Sequence, residues 1–144
     1  MFEISVQANF SSAHRLRGYQ GKCEDLHGHN WKVQIVVRVK NLDKIGLAVD
    51  FKILKNHLSA ALDSFDHKYL NDLAYFKRVH PVRSKSLKAT AQPSAVTSNG
   101  VNPTSENIAR YIYEKLVSII EVKGVKLKEV TVWESENSHA TFTK

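Results

Sequence analysis

Residues 21–32 read GKCEDLHGHNWK, which places His27 and His29 two positions apart and puts the chain's only cysteine, Cys23, four positions ahead of them. On extended backbone, alternate side chains point to the same side. The two imidazoles therefore share a face, and Gly28 between them leaves the backbone open to close approach. Two same-side imidazoles suit a Zn²⁺ ion, which needs at least one further ligand. The segment FSSAHRL offers His14 at the end of an earlier strand. If that strand pairs antiparallel with the one starting at Trp31, three imidazoles converge. Three histidines with an open fourth position are the catalytic rather than the structural form of a zinc site. An HxH pair alone is equally at home on a surface or in a core.

Cys23 lies in a polar turn-like segment between Lys22 and Glu24. A lone cysteine is commonly a small buried hydrophobe, but a nearby metal and lysine would favour the thiolate and make it a base or nucleophile. The segment SFDHKYLND offers Asp66 and His67 as a carboxylate–imidazole pair for proton relay. The same two residues could simply finish a helix, with a charged histidine complementing its C-terminal dipole. Glu134 interrupts a Val- and Trp-rich strand. Facing inward, its carboxylate would need donors such as the NH groups of a bound heterocycle; facing outward, it would meet water. His57 and His80 read as structural or solvated, and His139 is open.

These side chains must be positioned by a small number of elements. Phe2, Ile4, Val6, Ala8 and Phe10 alternate with polar residues, as do Trp31, Val33, Ile35, Val37 and Val39, so two strands with one buried face are expected. NLDKIG then reads as a hairpin turn and LAVDF as a third short strand. KEVTVWES continuing through ATFTK reads as the fourth. After Asp50, a good N-cap, Phe51, Leu54, Leu58, Ala61, Leu62 and Phe65 recur at helical spacing. A second helix starts at Pro103 and Thr104, carries Ile108, Ile112, Leu116, Ile119 and Ile120 as its stripe, and stops near Gly124. The expected architecture is α+β: a four-stranded antiparallel sheet with two helices on one face. Residues 75–101 lack a period and are expected to form a long flexible loop, solvated or closing over an anionic ligand. Five basic side chains fall within 77–88 with no acidic one.

A chain of 144 residues fits one domain. No apolar run approaches the roughly 20 residues of a membrane helix, and the N-terminal decapeptide carries an acidic residue in place of a basic leader. One cysteine suits a reducing cytoplasm. The net charge of +7 favours an anionic partner. The chain has no Arg-rich run, no RNA-binding aromatic motif and no basic amphipathic helix, and net charge alone does not decide among nucleic acid, an acidic membrane and a phosphorylated small molecule.

Taken together, FSSAHRL, CEDLHGHNW, VDF, FDHKYLND, NPTSENIARYIY and VWES resemble, in family order and over nearly the whole chain, the 6-pyruvoyl- and 6-carboxy-tetrahydropterin synthases. The resemblance implies one domain over 1–144 with the tunnelling fold, whose trimers close sheets into a barrel and whose trimers pair into a hexamer. It implies one Zn²⁺ per subunit held by His14, His27 and His29, with Cys23 as catalytic base and Asp66 with His67 as a relay reaching in from a neighbouring subunit. Glu134 resembles the carboxylate that anchors a pterin ring. Glu106 and Thr104 match pocket positions, although both could instead cap and charge a helix N-terminus.

The implied substrate is 7,8-dihydroneopterin triphosphate. Three residues separate Cys23 from His27, which is similar to the carboxy-tetrahydropterin synthases of queuosine (7-deazapurine) biosynthesis; these release acetaldehyde and triphosphate. The pyruvoyl synthases tend to a longer gap, and a folate-pathway branch replaces the cysteine with glutamate, here adjacent as Glu24. A zinc-stabilised or pterin-binding oligomer without activity is the reading from another class. It would leave Cys23, Asp66 and His67 unused.

Overall fold

The computed structural model describes residues 1–77, 101–121 and 124–144. The two alternating segments form β1, Phe2–His14, and β2, His27–Val39. They pair antiparallel in unbroken register from Phe2↔Val39 to His14↔His27. Their even-spaced apolar residues fall on one face because the side-chain period of a strand is two. β3, Lys68–Tyr69, is a short parallel addition to β1 at Ser12 and Ala13. β4, Val125–Ser135, pairs antiparallel with β2, and β5, Ser138–Thr143, with β4. The sheet order is β3-β1-β2-β4-β5.

α1, Phe51–Leu62, starts where the sequence places it: the Asp50 side chain accepts the Lys52 N–H at 2.7 Å. α2, Ser105–Ile120, starts at Thr104, whose hydroxyl accepts the Asn107 N–H. Each satisfies one of the orphan donors of a helix N-terminus. Leu54, Leu58, Ile108, Ile112 and Leu116 are buried against Val6, Phe10, Trp31, Val33, Ile35, Val130 and Val132 of the sheet. α1 lies against β1, and α2 against β4 and β5. Phe51 and Ile119, expected in the apolar stripes, are instead 56% and 48% exposed.

Three expectations change. LAVDF is not a strand. The Asp43 carboxylate accepts the N–H groups of Ile45 and Leu47, and the Asp43 N–H donates to the Leu47 carbonyl at 2.7 Å. That local turn takes the backbone groups a ladder would use, and Asp50 then commits the chain to α1. NLDKIG therefore links a strand to a helix and is not a hairpin. The last strand is two: the chain reverses at Glu136–Asn137, so ATFTK returns along β4. With β3 added, the sheet has five strands among the described residues and is mixed. The expected loop also starts later than residue 75. Phe76 is fully buried, 6.4 Å between ring centroids from Phe65, and Tyr75 packs 4.5 Å from Tyr111. The rest of that segment, with His80 and most of the basic run, lies outside the described residues.

Candidate active site

The β1–β2 register puts His14 opposite His27 and Ser12 opposite His29, one step beyond the Phe10↔Trp31 pair. All three imidazoles lie on the helix-facing side, so the strand period brings together residues 15 positions apart in the chain. Trp31 forms their floor: its ring is edge-on to His14 at 4.9 Å and to His29 at 5.1 Å, and stacks with Phe10 at 5.9 Å. The expected convergence of His14, His27 and His29 is present. Glu134 joins them from β4, and one side-chain N or O atom from each of the four residues lies within 4.8 Å of the others, close enough that they could hold a metal ion.

Hydrogen bonds fix how the rings present themselves. His14 Nδ1 lies 2.7 Å from the Pro103 carbonyl, and His27 Nδ1 lies 2.8 Å from the Asp25 carbonyl. A carbonyl only accepts, so both Nδ1 atoms carry the proton and both Nε2 atoms present a lone pair. Those two Nε2 atoms are 3.0 Å apart. Facing lone pairs at that distance repel unless a cation sits with them. Desolvation by burial holds both His14 and His29 below the ordinary histidine range, which disfavours a proton in that role. His29 Nε2 is buried without a hydrogen bond, and Glu134 Oε1 stands 3.0 Å away. Tetrahedral nitrogen ligands of Zn²⁺ lie roughly 3.3 Å from one another, a spacing these donors bracket. The carbonyl partners are also the kind that metal-binding histidines ordinarily use. The donor set fits a divalent metal ion.

Glu134 faces the helix side, as the inward reading expects. Its Oε2 accepts from Ser105 Oγ at 3.2 Å, while Oε1 turns to the histidines. A cavity of about 280 Å³ opens beside it, lined by His14, Thr104, Ser105, Glu106, Glu134 and His139. Thr104 caps α2 and Glu106 charges its first turn, and both border the cavity.

Cys23 sits half-buried on a single 3-10 turn, Lys22–Glu24, outside the ligand cluster. Its carbonyl accepts the Leu16 N–H at 2.8 Å, which ties the turn to the chain leaving His14. Asp66 and His67 lie on the outer edge of β1. Asp66 accepts the Ser11 N–H through Oδ1 at 2.9 Å and meets His67 Nδ1 through Oδ2 at 2.9 Å. The Ser11 donor first, then His67, holds the Asp66 carboxyl below the usual carboxylate range. His67 adopts φ +54° while its N–H donates to the Ser11 carbonyl. A side chain in that left-handed region is uncommon and is found disproportionately at functional sites. Its ring is 82% exposed and paired with Asp66, which leaves the last carbonyls of α1 to other partners. Within one chain, the pair makes no hydrogen bond to the histidine cluster among the described residues.

The carbonyls of Asp25 and Pro103 and the hydroxyl of Ser105 were not legible in the sequence. Backbone acceptors carry no side-chain signature. A serine at the start of a helix reads as a capping residue before it reads as a partner for a distant carboxylate.

Residues 3–144 match the family model described as 6-pyruvoyl tetrahydropterin synthase. The chain is 32% identical to a 6-carboxy-5,6,7,8-tetrahydropterin synthase of Synechocystis, covering 99% of this chain and 93% of that protein. It is 29% identical to the Haemophilus influenzae protein of the same name, over 99% of both. The structure of Caenorhabditis elegans 6-pyruvoyl tetrahydropterin synthase superposes with a TM-score of 0.72 at 26% identity, covering 99% of this chain and 95% of that one. A three-histidine cluster at the end of a β-ladder, within a chain matched along almost its entire length, makes this protein a member of the 6-pyruvoyl tetrahydropterin synthase family.

Proposed function

We propose that the protein is a zinc-dependent lyase that converts 7,8-dihydroneopterin triphosphate and water to 6-carboxy-5,6,7,8-tetrahydropterin, acetaldehyde and triphosphate, breaking the carbon–oxygen bond to triphosphate and the carbon–carbon bond that frees acetaldehyde, and serving queuosine biosynthesis in the cytoplasm. The observation that carries the reading is the convergence of three imidazoles, two of them with Nε2 lone pairs fixed toward each other, with His14 and the Glu134 carboxylate at the wall of one cavity. His14, His27 and His29 would hold Zn²⁺. When bound, the ion supplies Lewis acidity that polarises the hydroxyls of the substrate side chain.

Each remaining residue has a role its surroundings support. Glu134 binds the amino and ring NH groups of the pterin, with Ser105 holding its second oxygen. Glu106 and Thr104 border the same pocket and contact the substrate. Cys23 removes a carbon-bound proton from the side chain, on a turn anchored to the chain beyond His14. His67, oriented by Asp66, moves protons on the opposite side. Among the described residues that pair makes no hydrogen bond to its own histidine cluster, which supports a role at a neighbouring subunit's site. Assembly as a hexamer, a dimer of trimers, supplies such a neighbour. Among the described residues the outer edge of β5 and the outer edge of β1 below Ser11 have no strand partner, and these are the strand edges a closed barrel would pair.

Metal-loaded protein incubated with 7,8-dihydroneopterin triphosphate should yield carboxy-tetrahydropterin and acetaldehyde by mass, and Cys23→Ala should yield neither. A pyruvoyl-tetrahydropterin or hydroxymethyl-dihydropterin product would reassign the branch of the family. Absence of turnover in metal-loaded oligomer would overturn the lyase reading and favour a binding role.

A further inference from the structure

The chain that leaves His14 is held by two asparagine side chains in the same way. Asn71 accepts the Arg15 N–H through Oδ1 at 3.0 Å and donates from Nδ2 to the Arg15 carbonyl at 2.9 Å. Asn102 accepts the Arg17 N–H at 3.0 Å and donates to the Arg17 carbonyl at 3.0 Å. Each amide thus occupies both backbone groups of one residue, as a strand partner would. Its orientation is forced, because only oxygen can face the N–H and only nitrogen can face the carbonyl. The Arg17 guanidinium adds bonds to the carbonyls of Asn71 and Phe76.

Asn102 differs from Asn71 in what its own backbone does. Its carbonyl accepts from Thr104 N–H at 2.9 Å and from the Asn107 side chain at 3.0 Å. The next residue, the buried Pro103, presents the carbonyl that receives His14 Nδ1–H at 2.7 Å. Pro103 has no N–H and a fixed φ, so its carbonyl direction is set by the anchors on either side. Those anchors are the Asn102 clasp on Arg17 and the start of α2. Without the Pro103 acceptor, the His14 proton would be free to move to Nε2, the nitrogen that faces the ligand cluster.

We infer that Asn102 is a positioning residue of the metal centre: by clasping Arg17 it holds the Pro103 carbonyl on His14 Nδ1 and keeps Nε2 unprotonated toward the ligand cluster. The inference rests on the reading that His14 ligates a metal ion. Asn102 touches neither the ion nor the substrate and acts only through Pro103 and His14.

The test pairs two measurements on the purified full chain. Zinc affinity is measured by competition with a chromophoric chelator, and the His14 tautomer is read in metal-free protein from long-range ¹H–¹⁵N correlations of the imidazole. Wild type should show the Nδ1–H pattern at His14. Asn102→Ala should show loss of that pattern and about a 10-fold weaker zinc affinity, at the low end of the effect of outer partners on metal sites. Asn102→Asp keeps the size and the acceptor for Arg17 N–H but sets a second acceptor against the Arg17 carbonyl. It should behave like Asn102→Ala and remains informative if the alanine variant fails to fold. Asp50→Ala, which removes the distant cap of α1, reports what lost stability alone does to zinc affinity.

A lowered melting temperature with unchanged tautomer and zinc affinity within 2-fold of Asp50→Ala would overturn the inference, leaving Asn102 a structural residue. If wild type bound no zinc, or His14→Ala bound it as tightly as wild type, the inference would fall together with the metal reading. The wild-type and His14→Ala titrations tell these two failures apart.

Discussion

His14 and His27 are register partners in the β1–β2 ladder, and their Nε2 atoms stand 3.0 Å apart with both Nδ1 protons committed to carbonyls. Such a pair is poorly satisfied without a cation. A metal that binds only the folded state should therefore stabilise it, by about 2.7 kcal/mol at a free concentration 100-fold above its Kd. Thermal melts with and without chelator should separate for wild type and coincide for His27→Ala. Coincident wild-type melts in protein shown to bind metal would refute the cation requirement.

Glu134 is shared between Ser105 and the histidines. Glu134→Gln keeps an acceptor for Ser105 but removes the negative charge. The expected result is retention of the metal with a KM for the pterin substrate raised at least 10-fold, checked by metal analysis and steady-state kinetics. An unchanged KM would exclude Glu134 as the ring anchor.

Asp66 orients His67 and accepts from Ser11. Asp66→Asn should lower kcat by about 10²–10⁴-fold, the range of a lost general acid–base contribution. Its depressed carboxyl pKa has a second consequence. A carboxyl lowered by folding contributes stability above its ordinary value of 3.8 and loses it as pH falls through the depressed folded value. The wild-type advantage in melting temperature over Asp66→Asn should be constant near neutrality and shrink below about pH 4. A difference that grows in acid would contradict the assignment.

Trp31 is fully buried, donates Nε1–H to the Ser12 carbonyl at 3.3 Å and supports His14 and His29 from below. Trp31→Ala should lower unfolding free energy by about 3–5 kcal/mol in urea titrations. It should also weaken metal binding, because the floor of the site is part of the core. Trp31→Phe should recover most of the stability. Loss of stability without loss of metal affinity would show that the two functions of Trp31 are separable.

Much of this arrangement was written locally. The alternation from Phe2 to Phe10 and from Trp31 to Val39 determined two one-sided strands. Asp50 and Thr104 determined where the helices begin, and the spacing of His27 and His29 determined that their rings share a face. Each of these follows from a period or a cap that a few neighbouring residues suffice to set. LAVDF shows the limit: its apolar composition suits a strand, yet the Asp43 turn and the Asp50 cap had already taken its backbone groups. Tertiary structure alone brought Glu134 to the histidines, set the Asp25 and Pro103 carbonyls behind them, and put Asn102 on Arg17. Those contacts join residues up to 120 positions apart (His14 to Glu134), and they are decided by sheet register and by backbone acceptors that every residue possesses.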